Sequence, residues 1–277
     1  MGKKSLRVSK SDEGDVLVRF LARKLDISGK KAKGLLDQRA VFVNSRRVWM
    51  ARHRLRPGDS VEVEGPRDAG GGSGRPDIIH CDKACIVVDK PAGTLSTGPT
   101  SSETLLRKDL RDDGIVAVHR IDRDTSGCLL LARSPEAREA LIESFRAGRV
   151  RKTYRVLVQG AMTREQGSIR TPIDGKSAIT HLRVLCAGQT ASYVQVRIET
   201  GRTHQIRKHL ASIGHTVIGD RTFATGPVQA DDVRRVQRQM LHAIALAFPH
   251  PTQPHDVRAQ SPLPRDFQQA MRALGLT

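Results

Sequence analysis

The sequence predicts an α+β protein with a small N-terminal part and a larger C-terminal part. The first observation is a glycine-rich segment at 65–76 (GPRDAGGGSGRP), which has no large apolar side chain and is typical of a flexible linker. The second is the helical spacing of apolar residues before that segment. The third is the alternation of strand-like and helix-like segments after it. We therefore expect domains at 1–64 and 77–277, joined by a linker at 65–76.

The N-terminal part begins with two predicted helices. The segment VLVRFLARKLDIS has apolar residues at helical spacing, at Leu17, Phe20, Leu21 and Leu25. Ser28 is placed to cap a second helix, GKKAKGLLDQ, whose first turns carry three lysines. Cations at a helix N-terminus oppose the helix dipole, so this pattern favours an anionic partner such as a phosphate. The segments AVFVN and DSVEV then predict two short strands.

The C-terminal part alternates strands and helices. ACIVVDKP predicts a strand that runs into a loop, and SPEAREALIESFRAG predicts a helix capped by Ser134 and ended near Gly148. RKTYRVLVQG and SYVQVRIE alternate like strands, and THQIRKHLASIG predicts a short helix that stops at Gly214. The residues expected on buried faces are Tyr154, Val156 and Val158, then Val194, Val196 and Ile198, and in the short helix Ile206, Leu210 and Ile213.

The composition favours an anionic partner. A net charge of +18 attracts polyanions, of which nucleic acid is the commonest, although a generally basic solvated surface is the alternative. The longest unbroken apolar run, Cys128–Ala132, is too short to cross a bilayer, and the N-terminal MGKKSLR lacks the apolar region of a secretory signal. We expect a monomeric, cytoplasmic protein without a membrane partner.

The cysteines and glycines argue against a metal or a nucleotide cofactor. The four cysteines form no C-x-x-C pair, and His80, Cys81 and Cys85 could make one corner of a metal site but have no second half. The histidines His204 and His209 are five residues apart, which is not the spacing of a helical metal pair. There is no G-x-G-x-x-G segment and no P-loop. We expect reduced thiols, no disulfide, no metal and no cofactor.

Several segments carry charged and aromatic residues in a specific pattern. They are VDKPAGTLS at 88–96, HRIDRDTSG at 119–127, RKTYRVLVQG at 151–160, ETGRTHQIRKHLASIGHTVIGD at 199–220 and RQMLHAIALAFPHP at 238–251. In this order they resemble the RluA family of RNA pseudouridine synthases over about residues 77–270, with Ile121 where the family usually has Leu. Residues 14–64, with VNSRRV and LRPGDSVEV, resemble the S4 RNA-binding domain, although Gln38 and Arg39 stand where that pattern usually has Gly.

The resemblance implies both a fold and a reaction. The fold would be α+β, with a mixed, largely antiparallel central sheet that carries a cleft, and an appended S4-like module. The reaction would isomerise uridine in RNA to pseudouridine: the base is detached at N1, turned and rejoined through C5, without cofactor or metal. A carboxylate suits this chemistry because breaking a glycosidic bond leaves C1′ electron-poor.

By the same resemblance, Asp122 is the catalytic aspartate, Arg207 is the guanidinium that keeps it charged, and Tyr154 stacks on the base or takes part in proton transfer. The structural alternatives are a salt-bridged aspartate, a surface arginine and an ordinary strand aromatic. Arg120 would fill the space of the flipped base or contact the RNA strand, and its alternative is an ion pair with Asp122 or Asp124.

The remaining candidate residues are assigned to binding. Those expected to contact the substrate are Lys90, Lys152, Arg202 and His204, and those expected to contact RNA from the N-terminal part are Lys30, Lys31, Lys33, Arg46 and Arg47. Large-subunit ribosomal RNA is the first choice of substrate and transfer RNA the second. The competing hypotheses are a non-catalytic RNA-binding or ribosome-assembly protein and a metal-dependent nuclease, and the latter is disfavoured because the sequence has no carboxylate cluster.

Overall fold

The structure is a computed structural model, which describes residues 4–37, 41–44, 46–48, 50–63, 74–224, 236 and 238–276. The chain divides into two compact units, Met1–Gly71 and Gly72–Thr277, here called the small unit and the large unit. Most of the expected linker, residues 65–73, lies outside the described residues. None of the helices described is long and apolar enough to cross a membrane.

The small unit combines two helices with a four-stranded sheet. The helices pack through Leu17, Phe20 and Leu21, which are buried as their spacing predicts. The hydroxyl of Ser28 accepts a hydrogen bond of 3.2 Å from the backbone N–H of Lys31, so the predicted cap is confirmed. The strands are antiparallel in the order β1-β4-β2-β3. The elements are β1 Lys4–Arg7, α1 Leu17–Leu25, α2 Gly29–Asp37, β2 Val41–Val43, β3 Arg46–Arg47 and β4 Ser60–Val63.

The large unit is built on a ten-stranded sheet. Its elements are β5 Asp77–Cys81, β6 Cys85–Lys90, α3 Ser102–Leu110, β7 Val116–Ala117, β8 Ser126–Ala132, α4 Pro135–Arg146, β9 Arg151–Gln159, β10 Gln166–Ile169, β11 Thr180–Ala187, β12 Ala191–Ile198, α5 Gln205–Ser212, β13 Leu241–Pro249, β14 Asp256–Gln260 and α6 Arg265–Ala273. The strand order is β10-β11-β12-β9-β13-β8-β6-β5, with β14 beside β13 and β7 beside β8. Among these pairs only β13 and β8 run parallel, which confirms the mixed, largely antiparallel α+β prediction.

The main core lies on one face of this sheet, where the alternation of β9 and β12 places apolar side chains. Tyr154, Val156 and Val158 are buried there as predicted, together with Val194 and Val196. Helices α4 and α5 pack on this core through Ala137, Leu141, Ile206 and Leu210. Helix α3 packs on a separate cluster formed by β6 and β8, and α6 covers a third cluster around Leu157. The core therefore holds strand β9 and helix α5 in fixed positions.

The helix ends follow the predicted signals with one exception. The Ser134 hydroxyl accepts a hydrogen bond of 3.2 Å from the N–H of Ala137, and Pro135 is the first residue of α4, as predicted. The expectation that Ile213 shares the buried face of α5 was wrong. The helix ends at Ser212, so Ile213 lies beyond its last turn and is 42% exposed.

The parallel contact between β8 and β13 requires a glycine. Gly127 lies opposite Ala243 in this pair and has a φ of +108°, in the region that side-chain-bearing residues avoid. A Cβ atom on Gly127 would overlap the backbone carbonyl of Ala243. The strands approach this closely immediately after the loop at 118–125, so the glycine fixes where that loop enters the sheet.

We predict that Gly127→Ala lowers the free energy of unfolding by about 3 kcal/mol or more, because backbone strain and a backbone overlap add together. The matched control is Gly148→Ala. Gly148 also has a positive φ, of +68°, but an added Cβ there meets no atom within 4 Å. The control variant should lose only about 1–2 kcal/mol. Equal losses in the two variants, measured by urea unfolding, would contradict the role given to the strand contact.

Candidate active site

Asp122 lies in the loop that connects β7 to β8. Its carbonyl accepts a hydrogen bond of 3.0 Å from the N–H of Thr125, which makes the chain turn directly before the buried strand. Ser96 holds the preceding residue: its hydroxyl donates to the Ile121 carbonyl at 2.9 Å and accepts from the Ile121 N–H at 3.1 Å. Gln239 donates to the Thr125 hydroxyl at 2.7 Å. The Asp122 side chain stays 27% exposed, so a fixed loop presents a carboxylate at the surface.

Lys90 holds this loop through a hydrogen bond to its backbone. Its ammonium is fully buried and donates to three backbone carbonyls, those of Pro91 at 2.9 Å, Thr94 at 2.8 Å and Arg123 at 3.0 Å. Burial lowers the pKa of Lys90 to about 7, while the charges of Asp124 and Asp122 favour its charged form. The substrate contact expected for Lys90 does not fit this geometry, because the group is enclosed by protein and its three donors are in use.

Arg207 joins Asp122 to a second carboxylate. This arginine projects from α5, and its side chain is only 4% exposed. Its Nη1 donates to Asp122 Oδ2 at 2.9 Å, while Nε and Nη2 donate to the two oxygens of Asp220 at 2.5 and 2.7 Å. Burial alone would lower the pKa of Arg207, but the hydrogen bonds and charges of Asp220 and Asp122 outweigh it, so the pKa is raised. The alternative of a surface arginine is excluded by this burial.

Asp220 is a site residue that sequence reasoning missed, although it ends the segment 199–220. Its side chain is 1% exposed and also accepts from the backbone N–H groups of Thr222 at 2.8 Å and Phe223 at 3.3 Å. The ring of Phe223 lies against the guanidinium of Arg207, 4.9 Å from centroid to Cζ. The signal that could have found Asp220 is a lone acid after the apolar pair Val217–Ile218, since a buried acid needs a cationic partner.

Tyr154 and Lys152 project from β9 toward the same side of the sheet. Tyr154 is 7% exposed, and burial together with the nearby charge of Asp122 raises the pKa of its phenol above the ordinary value. The phenol is therefore protonated at neutral pH and is available to donate a hydrogen bond. Burial lowers the pKa of Lys152, whose Nζ lies 5.6 Å from the ring centroid of Phe145. The charge of Asp122 acts on Tyr154 and the charge of Lys152 acts on His119, so both side chains lie near the loop at 118–125.

His204 approaches Asp122 from the start of α5. It takes the left-handed conformation with a φ of +57°, and its Nε2 lies 3.7 Å from Asp122 Oδ1. Gln205 fixes the chain at this point: its side-chain oxygen accepts from the Arg202 N–H at 3.0 Å, and its amide donates to the Ile179 carbonyl at 2.9 Å. The side chain of His204 is 8% exposed and contacts the Asp122 carboxylate.

Two of the expected substrate contacts remain at the rim. Arg120 is exposed two residues before Asp122, and the Asp122 carboxylate contacts Arg207 and His204. Arg202 is exposed and donates to the Ser177 carbonyl at 3.0 Å. The structure thus brings Asp122, Arg207 and His204 into direct contact and leaves two arginines facing solvent nearby.

The residues expected to contact RNA from the small unit belong to a separate compact unit. The side chains of Lys31 and Lys33 are exposed on α2. Those of Lys30, Arg46 and Arg47 lie outside the described part of the chain.

The candidate metal corner is a hydrogen-bonded group. His80, Asp82 and Cys85 have ligand atoms within 4.8 Å of one another, whereas Cys81 is exposed and is not part of the group. Asp82 Oδ2 accepts from His80 at 2.7 Å and from His250 at 3.0 Å, and Oδ1 accepts from two backbone N–H groups. Burial raises the pKa of Cys85 to about 12, so its thiol is protonated. These hydrogen bonds satisfy the group without an ion.

Two further histidines, His119 and His209, have structural partners. His119 Nε2 accepts from the Leu130 N–H at 3.0 Å, and burial lowers the pKa of His119 to about 3, which keeps its ring neutral. His209 is held between the Thr180 hydroxyl and the Thr171 carbonyl, each at 2.9 Å.

Comparison with known proteins agrees with this geometry. The family model for RNA pseudouridylate synthase matches residues 84–212. A ribosomal large subunit pseudouridine synthase D of Xanthomonas campestris pv. campestris is 33% identical over 259 residues, which covers 80% of this chain and 78% of that protein. An RNA pseudouridine synthase of Aquifex aeolicus is 35% identical over 277 residues and is covered to 87%, as is this chain. The solved structure of human RNA pseudouridylate synthase domain containing 4 shares the fold, with a TM-score of 0.62 and 22% identity over 72% of this chain and 93% of that chain.

The matched region includes the loop with Asp122, strand β9 with Tyr154 and helix α5 with Arg207. The bacterial relatives match over most of their own length as well as most of this chain. The resemblance of the five sequence segments is confirmed, whereas the S4 resemblance of residues 14–64 remains a prediction. The chain belongs to the RNA pseudouridine synthase family, and it is an isomerase that converts uridine in RNA to pseudouridine.

Proposed function

We propose that Asp122 is the catalytic nucleophile of this synthase and that its substrate is large-subunit ribosomal RNA. The observation that carries the first part is the ion-pair chain Asp122–Arg207–Asp220. Asp220 is buried and Asp122 is partly exposed. Asp220 therefore fixes the guanidinium, and the guanidinium supports Asp122 as the reactive carboxylate. This arrangement holds a carboxylate in a defined position at the protein surface, beside a guanidinium.

The isomerisation requires a carboxylate at the reacting sugar. Asp122 attacks C1′ as the bond between C1′ and N1 breaks, and the electron pair of that bond leaves with the uracil. The base then turns until C5 faces C1′, and a bond forms from C5 to C1′ while the carboxylate leaves. One proton is lost from C5 and one is gained at N1, so atoms and charge balance without a cofactor.

Tyr154 and His204 define the space in which the base turns. The phenol of Tyr154 is protonated, so it donates a hydrogen bond and does not accept a proton at the start of the reaction. Its ring stacks on the uracil. His204 lies against the other oxygen of Asp122 and restricts the rotation of the carboxylate. Arg120 and Arg202, exposed at the rim, are placed to contact the phosphates of the strand that delivers the uridine.

The choice of ribosomal RNA rests on a relative and on charge. The Xanthomonas relative is named a ribosomal large subunit pseudouridine synthase, and a net charge of +18 suits a large polyanion. Transfer RNA is the second candidate. The test is to map pseudouridines in both RNA classes from cells with and without this protein. A uridine modified only in the presence of the protein identifies the substrate class, and sites confined to transfer RNA would overturn the first choice.

The small unit is proposed to bind RNA in the manner of an S4 domain. Lys31 and Lys33 are exposed in the first turns of α2, where cations oppose the helix dipole unless an anion is bound. The small unit would contribute to RNA affinity and not to the chemical step, because the residues of the ion-pair chain all belong to the large unit.

We predict that Asp122→Asn lowers the rate of pseudouridine formation by at least about four orders of magnitude, or roughly 5–6 kcal/mol of barrier. The fold should persist, because Arg207 keeps its two hydrogen bonds to Asp220 and is not left as an unpaired buried charge. The control is Asp174→Asn, which removes an exposed carboxylate from the large unit. Activity of the Asp122 variant within tenfold of the unmodified protein would show that another residue, with Asp124 the next candidate, is the nucleophile.

We predict that Arg207→Ala lowers turnover by about 100-fold or more while changing the RNA dissociation constant less than about threefold. The reason is that Arg207 is buried and its donors point at two carboxylates, so it cannot contact phosphate. Its loss should also lower stability by about 3–5 kcal/mol, because Asp220 stays buried without its partner. The assay therefore uses a temperature at which the variant is folded.

The matched control is Arg202→Ala, an exposed arginine in the loop before the same helix. It should weaken RNA binding and retain turnover at saturating RNA. If Arg207→Ala weakens binding as much as turnover, Arg207 is a phosphate contact after all.

We predict that deleting residues 1–71 leaves the large unit folded and active at high RNA concentration, but weakens RNA binding and flattens its salt dependence. The double variant Lys31→Gln/Lys33→Gln should show part of this effect. The charge-matched control is Lys10→Gln/Lys83→Gln, since both lysines are exposed. An unchanged salt slope after the deletion would mean that the small unit does not bind RNA.

A further inference from the structure

The sheet of the large unit has a second face, opposite Tyr154, that carries arginines. Side chains along a strand alternate between the two faces of a sheet. In β9, Lys152 and Tyr154 therefore point to one side, and Arg151, Thr153 and Arg155 point to the other. The pairing of β9 with β12 is regular along its whole length, so the same division continues into the next strand.

The register extends this set of arginines across the sheet. Arg155 pairs with Gln195 and donates a hydrogen bond to its side chain, and Gln195 in turn pairs with Arg183 on β11. On the other side, Arg151 pairs with Ala247, which pairs with Arg258 on β14. Residues in register project from the same face. We call this surface the arginine face, and its arginines are Arg151, Arg155, Arg183, Arg197 and Arg258.

The arginine face has an excess of positive charge. Two carboxylates lie beside it: Glu199, which is hydrogen-bonded to His181 at 2.7 Å, and Asp256, whose nearest approach to Arg151 is 3.9 Å. Three exposed arginines of this face make no ion pair with any carboxylate in the described part of the chain. They are Arg183, Arg197 and Arg258. The carboxylates beside the arginine face are therefore too few to neutralise its arginines.

The surface between these arginines carries small and polar side chains. The intervening positions are Thr153, Gln195, Ala245 and Ala247, none of which projects a large apolar group. Helix α6 covers the same side of the sheet only at its far end, where Phe267 packs against Leu157. A face of small and polar residues offers little apolar area to a protein partner but allows a polar backbone to approach closely.

The exposed side of α4 shows what an ordinary solvated surface of this protein looks like. Its exposed charges mix the two signs, with acids and bases within a turn of each other, at Glu136, Arg138, Glu139, Glu143 and Arg146. The arginine face differs because one sign dominates over four strands. Its cation is also arginine, whose planar fork binds phosphate oxygens through two parallel hydrogen bonds.

We propose that the arginine face is a second contact surface for the substrate RNA and binds the sugar–phosphate backbone of a segment that does not enter the active site. Because it lies on the side of the sheet opposite Tyr154, one RNA can reach both only if it extends around the protein. The surface thus favours a large folded RNA over a short hairpin. The proposal rests on the RNA substrate of the proposed function but not on the role of Asp122.

The test compares binding of two RNAs to full-length protein. The variant is Arg183→Gln/Arg197→Gln, and the charge-matched control is Arg111→Gln/Arg138→Gln, which removes two exposed arginines outside the arginine face. The probes are protein-free large-subunit ribosomal RNA and a short synthetic RNA hairpin. For the long RNA, we expect the variant to bind about tenfold more weakly and the slope of log K against log salt to fall by about 1.5. For the hairpin, both variants should bind like the unmodified protein.

Two results would overturn the proposal. One is an equal loss of affinity for the long RNA in the variant and the control, which would mean that total charge alone matters. The other is an equal loss for the hairpin and the long RNA in the variant, which would place these arginines at the main site. Because the assay measures binding and needs no turnover, its failure is separate from a failure of Asp122 as the nucleophile or of ribosomal RNA as the modified substrate.

Discussion

The active site depends on one buried interaction, the two-hydrogen-bond contact between Arg207 and Asp220. A guanidinium that is 4% exposed is stable in the protein only if its charge is matched, and Asp220 supplies that match. The remaining Nη1 group can then point at Asp122. A single carboxylate paired with this arginine would have to be buried with it. Because Asp220 is the buried partner, Asp122 can remain at the surface, where it can reach a substrate.

The rest of the site holds the loop of Asp122 against this arginine. Three groups fix the loop through hydrogen bonds: the ammonium of Lys90, the hydroxyl of Ser96 and the side-chain amide of Gln239. Each of these groups is buried and hydrogen-bonded to backbone or to a side chain of the loop. Such a network is stable only when every polar member has a partner. The loop is therefore preorganised, and Asp122 would need little rearrangement to act as the proposed nucleophile.

Elements with a strong periodicity were predicted well from the sequence, whereas features that depend on tertiary contacts were predicted less well. Strand β9 and helix α4 were predictable because alternation and capping residues are local signals. Ile213 was misplaced because the end of α5 depends on chain geometry just past the helix. Asp122, Tyr154 and Arg207 could be picked out by family resemblance. Asp220 and the supporting role of Lys90 could not, because their meaning depends on partners that are distant along the chain.

The parallel contact between β8 and β13 determines when the site is completed. The bonds from Gln239 to Thr125 and from His242 to Ser126 join residues more than a hundred positions apart. During synthesis, the loop of Asp122 emerges early but gains these partners only when β13 has left the ribosome. A nascent chain therefore carries every residue of the ion-pair chain before it has a rigid site. The loop of Asp122 is therefore held in its final position only once the C-terminal strands are in place.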